Sequence, residues 1–281
     1  MAIYAPLEDR AVIEVSGPDW RSFLQGLLTQ DIETLADGDL RFGALLAPQG
    51  RLLFDLFILG VGGACWLDCA AKQVDALVDR LAIYRLRAKV AISRADIGVM
   101  AMWDAATAPA GWRADPRLPA LGFRGYGLAP PADAALADFA PYDVHRMRLG
   151  VPGPDDWGYD RSYPIEANFD LLSGIDFKKG CFVGQETTSR MKRRGTVKTR
   201  MATIAFDGEA VAPGAELLAG ALRAGEVHSS VGGMAIASLR LDRMEAGERR
   251  LPDGRAWRPL LPDWIDIGTE AQPAQRSDGH S

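Results

Sequence analysis

The sequence predicts an α+β protein, and three observations support this. Apolar runs separated by turn residues between residues 40 and 70 indicate a β-meander. Two segments, 16–32 and 72–87, place apolar residues at helical spacing. Beyond residue 195, short β-rich runs are split by glycines, which is typical of a small barrel or sandwich. The 281 residues, of which 48% are hydrophobic and 25% charged, suffice for about two domains.

The N-terminal elements follow in order along the chain. RAVIEVSG predicts a strand, and SGPDWRSFLQGLLTQDI predicts a helix whose first turn suits Pro18. RFGALLA, LLFDLFILG and ACWLDCA form the meander, with turns at PQGR and GG. KQVDALVDRLAIYRLR predicts a second amphipathic helix, and KVAIS and IGVMAMW predict further strands.

The second half has a weaker pattern at first and a mostly β pattern later. Residues 104–138 are rich in Ala, Pro and Gly and predict an irregular connection. YDVHRMRL predicts a helix that ends before Gly150 and Pro152. TVKTRMATIAFDG, AELLAG, GEVHSSVGGMAIASLRLDRM and RAWRPLL predict the strands of a C-terminal barrel. The polar end, 269–281, predicts a disordered tail.

Composition limits the compartment and the class of protein. No stretch approaches the ~18 consecutive apolar residues of a membrane span. The first residues resemble neither a secretory signal nor an Arg- and Ser-rich transit peptide, which predicts a cytosolic protein. Three cysteines cannot build a disulfide framework, so a reducing compartment is expected. Cys65 and Cys69 share one face of a strand and are expected to be buried and inert, and no metal site is predicted from the scattered histidines.

Positive charge is concentrated around the third cysteine. Residues 178–200 hold eight basic residues and one acid, a charge of +7 in a chain whose net charge is −5. The remainder therefore carries −12, and an anionic ligand is expected near this segment. The run MKRRGTVKTR could be a solvated face, an RNA contact or a clamp for a polyanion, but it lacks the aromatic residues that stack on RNA bases.

Cys181, in KKGCFVGQETTSRMKRRG, is the candidate reactive group. Gly180 and Gly184 allow sharp turns and close approach of a ligand, and a helix is expected to start near Gly184. Backbone N–H groups at that helix start, with Lys179 and Arg190, would favour the thiolate. The alternative is a small core residue flanked by Phe182 and Val183, and the local sequence leaves both open.

Asp55 is a second unusual residue because it lies inside the apolar strand LLFDLFIL. A buried carboxylate must be hydrogen-bonded or paired. It could instead face outward from a half-exposed strand, and alternation permits either arrangement. In the buried case it would accept hydrogen bonds from a ligand with amide or amino donors.

KGCFVGQE, from Lys179 to Glu186, resembles the signature K-G-C-[FY]-x-G-Q-E of the YgfZ family of folate-binding proteins. These proteins are relatives of the glycine-cleavage T-protein, an aminomethyltransferase, and their mitochondrial cousins serve iron–sulfur assembly. GPDWRSFLQGLLTQDI, APQGRLLFD, IEANFDLLSGIDFKKG and RAGEVHSS resemble further segments of that family. The resemblance covers roughly residues 7 to 265, except for 104–138.

The resemblance implies a GcvT-like, three-module α+β fold arranged as a ring around a central channel, with a C-terminal β-barrel. The folate-binding region would span 1–194, as two interleaved modules (1–45 plus 139–194, and 46–138), followed by the barrel at 195–268. Tetrahydrofolate or a derivative would lie in the channel, and the signature cysteine would face it.

The resemblance also implies the site residues and the function. Cys181 would be the catalytic group and a transient iron ligand, while the proposed cofactor-binding residues are Asp55, Tyr142, Lys179, Gly180, Gly184, Gln185, Glu186 and Arg190. Arg148 stands where relatives commonly keep a glutamate, and Arg10 stands where some members have a tryptophan.

The predicted function is that of a folate-binding accessory factor for iron–sulfur cluster assembly or repair, with assembly or client proteins as partners. Two alternatives stay open, a tetrahydrofolate-dependent one-carbon enzyme that depends on Asp55, and a tRNA-modification or RNA-binding factor. A classical aminomethyltransferase is disfavoured, because the glutamate is lost and the thiol is gained.

Overall fold

The computed structural model describes residues 1–194 and 197–265. The predicted tail at 269–281 lies outside the described residues. The strands are β1 (Ile3–Pro6), β2 (Arg10–Ser16), β3 (Leu40–Leu46), β4 (Leu52–Val61), β5 (Ala64–Ala70), β6 (Ala91–Ala95), β7 (Val99–Trp103), β8 (Arg113–Ala114), β9 (Phe123–Tyr126), β10 (Ala135–Leu136), β11 (Thr199–Phe206), β12 (Glu216–Ala219), β13 (Leu222–Val231), β14 (Met234–Arg240), β15 (Arg249–Arg250) and β16 (Trp257–Leu260). The helices are α1 (Trp20–Gln25), α2 (Val74–Arg85), α3 (Phe139–Arg148), α4 (Pro154–Trp157) and α5 (Gln185–Arg194).

The predicted meander forms the centre of an antiparallel sheet with strand order β3-β4-β5-β2-β6. Strand β4 is buried on both faces over almost its whole length, which explains its continuous apolar sequence. Phe54, Leu56 and Ile58 pack on one face with α1 and α2, whereas Phe57 packs on the opposite face. Asp55 shares that opposite face with Phe57, because side chains alternate along a strand.

Helix α1 is shorter than the predicted segment 16–32. It ends at Gln25, and Leu28 instead forms a β-bridge with Leu45 of β3. The Thr29 hydroxyl donates to the carbonyl of Gly174 at 2.6 Å and accepts from the N–H of Ala44 at 2.8 Å. Pairing with a distant strand therefore replaces the last helical turns, while the apolar side chains stay buried as the spacing predicts.

A second sheet has the strand order β10-β1-β7-β9-β8. Three of its strands lie in 104–138, where the sequence predicts an irregular connection, and each has only two to four residues. Such strands are too short for a period to be detected. Because β1 belongs to this sheet and β2 to the first, the chain passes between the two sheets within its first residues.

The C-terminal sheet, β15-β12-β13-β14-β11-β16, is a nearly closed barrel. A bridge between Arg250 and Ala256 links its edge strand β15 to the segment leading into β16. The barrel has its own core, which includes Ile204, Val227 and Trp257. The predictions of an α+β protein and of a small C-terminal barrel are confirmed.

A central cluster of buried side chains joins the first sheet, the segment 147–182 and the barrel; it includes Phe42, Phe57, Met147, Phe169, Phe182, Met201 and Ile236. The guanidinium of Arg200 reinforces this junction, with two bonds of 3.0 Å to the carboxylate of Asp170. None of the helices within 1–194 and 197–265 is long and apolar enough to cross a membrane.

Candidate functional site

Cys181 lies at the surface, in the turn that precedes α5. The next residue, Phe182, is buried in the central cluster, so the backbone directs the two neighbouring side chains to opposite environments. Cys65 and Cys69 are buried in β5, where burial raises the pKa of Cys65 and raises that of Cys69 to about 12. Of the three thiols, only that of Cys181 is accessible to a ligand or a partner.

Lys179 fixes the loop that carries Cys181. Its ammonium nitrogen donates to three backbone carbonyls at 2.6–2.7 Å, those of Gln25, Leu28 and Gln30. Burial lowers the pKa of Lys179 to about 8. The ammonium therefore binds the loop to the chain that follows α1, and it does not extend into solvent beside the thiol.

The two glycines of the signature differ in their surroundings. Gly184 has a φ of +81°, and a Cβ added there would lie 2.7 Å from the carbonyl oxygen of Ala47 and 2.9 Å from the Cα of Gly50. The start of α5 thus packs directly on the turn between β3 and β4, and a side chain has no space. A Cβ added at Gly180 would meet no atom within 4 Å, because Gly180 is exposed.

The segment 177–193, which contains Cys181, combines exposed positive charge with an exposed aromatic ring. Phe177 is 36% exposed, and the ammonium of Lys192 lies 5.3 Å from the centre of its ring. Lys178, Arg190 and Arg193 are exposed as well, with Glu186 as an exposed acid. Lys179 and Arg200, two of the eight basic residues of the segment, bind protein groups internally and contribute little to this surface.

Asp55 lies in a separate, buried site; it is 4% exposed. Arg10 donates from Nη1 to Asp55 Oδ2 at 3.0 Å, from Nε to Asp68 Oδ1 at 2.6 Å, and from Nη2 to the backbone carbonyl of Asp68 at 2.9 Å. All three guanidinium nitrogens of Arg10 are therefore engaged. This satisfies the expectation that a carboxylate within an apolar strand needs a partner.

Asp68 connects Arg10 to a second buried arginine. Its Oδ2 accepts from Nη2 of Arg124 at 2.7 Å and from the hydroxyl of Tyr126 at 2.9 Å. Burial opposes ionisation, but Arg10 and Arg124 outweigh it and hold the pKa of Asp68 below its usual range. The guanidinium of Arg124 also lies 3.7 Å from the centre of the Phe57 ring, which adds a cation–π contact.

Tyr142 completes this buried network from α3. Its hydroxyl accepts from Nη2 of Arg117 at 3.0 Å. Arg117 in turn binds Asp115 with both Nε and Nη2, at 3.0 and 2.8 Å. Three guanidinium groups and three carboxylates thus lie together below the protein surface, with no net charge.

One atom of the network has no hydrogen-bond partner among the residues that the structure describes. Asp55 Oδ1 is inaccessible to solvent and accepts no hydrogen bond from the described residues. A pterin ring carries N–H donors that match such an oxygen. However, Oδ1 is closed to solvent, so a heterocycle reaches it only if neighbouring side chains move. The residues have suitable chemistry for tetrahydrofolate, but they do not fit it in this arrangement.

The structure brings some predicted site residues together and separates others. Asp55 and Tyr142 belong to one buried network, whereas Cys181, Gly180, Glu186 and Arg190 are exposed. Gln185 begins α5, with its N–H bonded to the carbonyl of Phe182 at 3.2 Å.

Sequence reasoning missed most of the network, namely Asp68, Asp115, Arg117, Arg124 and Tyr126. Asp68 could have been found, since it is also a carboxylate within an apolar strand. The other four lie in 104–138, where no pattern was detected. In the part of the chain that the structure describes, no cluster of three or more His, Cys, Asp or Glu residues could hold a metal ion.

Comparison with known proteins identifies homologues. Residues 198–267 match the family model described as CAF17, C-terminal beta-barrel domain. An iron–sulfur cluster assembly factor IBA57 homolog, mitochondrial, from Mycosarcoma maydis is 33% identical over 228 residues, covering 72% of this chain and 57% of the relative. The corresponding protein from Coccidioides immitis is 34% identical over 235 residues, covering 69% and 55%. Human iron–sulfur cluster assembly factor IBA57, mitochondrial, is 28% identical over 300 residues, covering 92% and 84%. The chain spans just over half the length of the fungal relatives.

A solved structure shows the fold. The glycine cleavage system aminomethyltransferase T from Bartonella henselae superposes with a TM-score of 0.74 at 16% identity, covering 94% of this chain and 86% of that one. The predicted aminomethyltransferase-like fold is confirmed, and homologues of the chain are named as iron–sulfur assembly factors. The role of the KGC signature stays a prediction.

The prediction of a cytosolic protein is wrong. The relatives are named as mitochondrial, which points to mitochondria rather than the cytosol. The prediction depended on the composition of the first residues. Ile3–Pro6 form strand β1, so their composition reflects the requirements of a sheet and not those of a compartment.

Proposed function

We propose that this chain is an iron–sulfur cluster assembly factor in which the sulfur of Cys181 binds an iron atom of the cluster. The main support is the exposure of Cys181 on a fixed loop, while the other two thiols are buried. The names of the homologues support the same function. The cluster is the cargo of such a protein and not a resident cofactor.

One cysteine cannot hold a cluster alone, because iron–sulfur clusters usually take four ligands. The remaining ligands would come from an assembly or client protein, or from a small thiol. Iron binds cysteine as the thiolate, so the thiol proton of Cys181 would be released as the bond to iron forms. Glu186 and Gln185 lie at the start of α5, where they would contact the partner rather than the metal.

The partner surface would be acidic and would contain an apolar contact. Lys178, Arg190, Lys192 and Arg193 would supply charge complementarity, and Phe177 an aromatic contact. We therefore expect the association to weaken as salt is raised.

Tetrahydrofolate or a derivative remains the ligand predicted for Asp55 and Tyr142 by the family resemblance. No step of the proposed function involves it, because Asp55 is engaged by Arg10 and closed to solvent. The alternative of a one-carbon enzyme requires Asp55 to meet its ligand directly, so the same contact disfavours it.

The test is complementation of a strain that lacks its IBA57-type factor, with the activity of a [4Fe–4S] enzyme as readout. Cys181→Ser is expected to abolish support at a wild-type protein level, because an exposed thiol can be replaced without loss of packing. Cys69→Ala removes a buried thiol and is the matched control, expected to retain support. Full support by Cys181→Ser would overturn the proposal, and loss of support by Asp55→Asn alone would favour the one-carbon enzyme.

A further inference from the structure

We propose that Arg10 closes the Asp55 site, so that the native chain does not bind reduced folates through Asp55. Arg10 would then be the residue that determines ligand specificity in the buried network. The inference goes beyond the proposed function, since it depends on the contacts of Arg10 and not on Cys181.

Arg10 reaches Asp55 from another strand of the same sheet. Arg10 is the first residue of β2 and pairs with Ala70 of β5, which lies between β2 and β4. Its side chain extends across β5 and meets Asp55 on β4, and it is 6% exposed. Two strands of the same sheet, separated by β5, thus hold the two ends of the contact.

The donor group of Arg10 has a shape that a pterin edge shares. A guanidinium presents parallel N–H donors in a planar fork, which suits a carboxylate. The pterin ring of a folate presents a similar edge, because its ring N–H and its amino group flank one carbon atom. Arg10 and a pterin would therefore compete for the same carboxylate, and Arg10 is attached to the protein.

The charge of Arg10 also favours the closed arrangement. Arg10, Arg117 and Arg124 balance Asp55, Asp68 and Asp115 in the buried network. Displacing Arg10 would leave Asp55 and one oxygen of Asp68 without their cation, and breaking a buried pair is strongly unfavourable. A neutral pterin does not restore that charge, which favours the closed arrangement.

The unpartnered Asp55 Oδ1 explains why removal of Arg10 should create a binding site. With the guanidinium gone, space opens beside a carboxylate whose two oxygens both lack donors. A charge-assisted hydrogen bond is typically strong enough to change affinity by about 10-fold or more. We therefore expect a gain in folate affinity of about that size in an Arg10 variant.

The experiment is isothermal titration of the full chain with 5-formyltetrahydrofolate. Arg10→Ala is expected to bind about 10-fold tighter than wild type. Arg10→Ala combined with Asp55→Asn is expected to lose that gain. The matched control is Arg94→Ala, which removes an exposed arginine paired with exposed Asp75 and is expected to leave affinity unchanged. Equal or tighter binding by wild type than by Arg10→Ala would overturn the proposal.

A second comparison decides the question if Arg10→Ala does not fold. Asp55→Asn in the otherwise native chain preserves the shape of the side chain. If Arg10 closes the site, folate does not contact Asp55 in the native chain. This variant should therefore bind 5-formyltetrahydrofolate with an affinity within about 2-fold of wild type, whereas loss of a direct contact would change affinity by about 10-fold, or ~1.4 kcal/mol. A loss of 10-fold or more would show that folate reaches Asp55 past Arg10. Neither titration result depends on whether Cys181 supports complementation, so the two proposals can fail separately.

Discussion

The Cys181 loop contains two glycines that differ sharply in what they permit, and this allows a matched pair of substitutions. Gly184→Ala places a Cβ 2.7 Å from the Ala47 carbonyl oxygen at a φ of +81°. A left-handed conformation costs an L-residue about 1–2 kcal/mol. Overpacking against backbone adds about 1–3 kcal/mol. We expect Gly184→Ala to lower the free energy of unfolding by about 2–5 kcal/mol.

Gly180→Ala is the control, four residues earlier in the same loop. Its added Cβ meets no atom within 4 Å, and its backbone lies outside the left-handed region. We expect a change within about 0.5 kcal/mol, as for most surface substitutions. Urea titration followed by tryptophan fluorescence measures both variants. A Gly184→Ala chain as stable as wild type, or a Gly180→Ala chain equally damaged, would refute the packing of α5 on the β3–β4 turn.

Three further predictions concern buried groups. Arg200→Met should lower the free energy of unfolding by about 3 kcal/mol or more, because it leaves the Asp170 carboxylate buried without its bidentate partner, whereas Arg240→Met, at a half-buried arginine paired with Asp242, should change it by less than about 1 kcal/mol in the same urea titration. Native Lys179, with its pKa of about 8, binds fewer protons between pH 8 and 10.5 than it does in the unfolded chain. Its contribution to stability should therefore rise with pH across that window and be absent in Lys179→Met, and a parallel pH dependence in the two chains would contradict this. Burial lowers the pKa of His228 below 6.5, so stability should fall as pH falls below 6.5; His228→Gln should reduce that fall in thermal melts between pH 6.5 and 5, and an unchanged profile would contradict the assignment.

The elements with a local period were predictable from sequence. Strands β3, β4 and β5, helix α2 and the longer C-terminal strands β11, β13 and β14 each extend over enough residues for spacing to be read. Strands β8 and β10 have two residues each and exist only because β9 and β1 pair with them. Helix α1 stops early for a related reason, since Leu28 pairs with Leu45 of another element.

The candidate site, like the fold, was predictable from sequence only in part. Cys181 was identified because its glycines, its cations and the following helix are adjacent in sequence. The burial of Asp55 was one of two open alternatives, and its partner Arg10 is 45 residues away. Arg124 and Asp115 lie in a segment without any pattern, so nothing local indicated their roles.

The order of amino acids alone was enough to predict the strands and helices that have a readable period, the concentration of positive charge at 178–200, and the cysteine that differs from the other two. Only the tertiary structure decided that this cysteine is exposed and that the ammonium of Lys179 binds carbonyls about 150 residues away. It also decided that Arg10 engages the carboxylate of Asp55. The physical reason is that periodicity is a local property, whereas a buried charge must pair with whichever opposite charge or dipole the folded chain brings beside it.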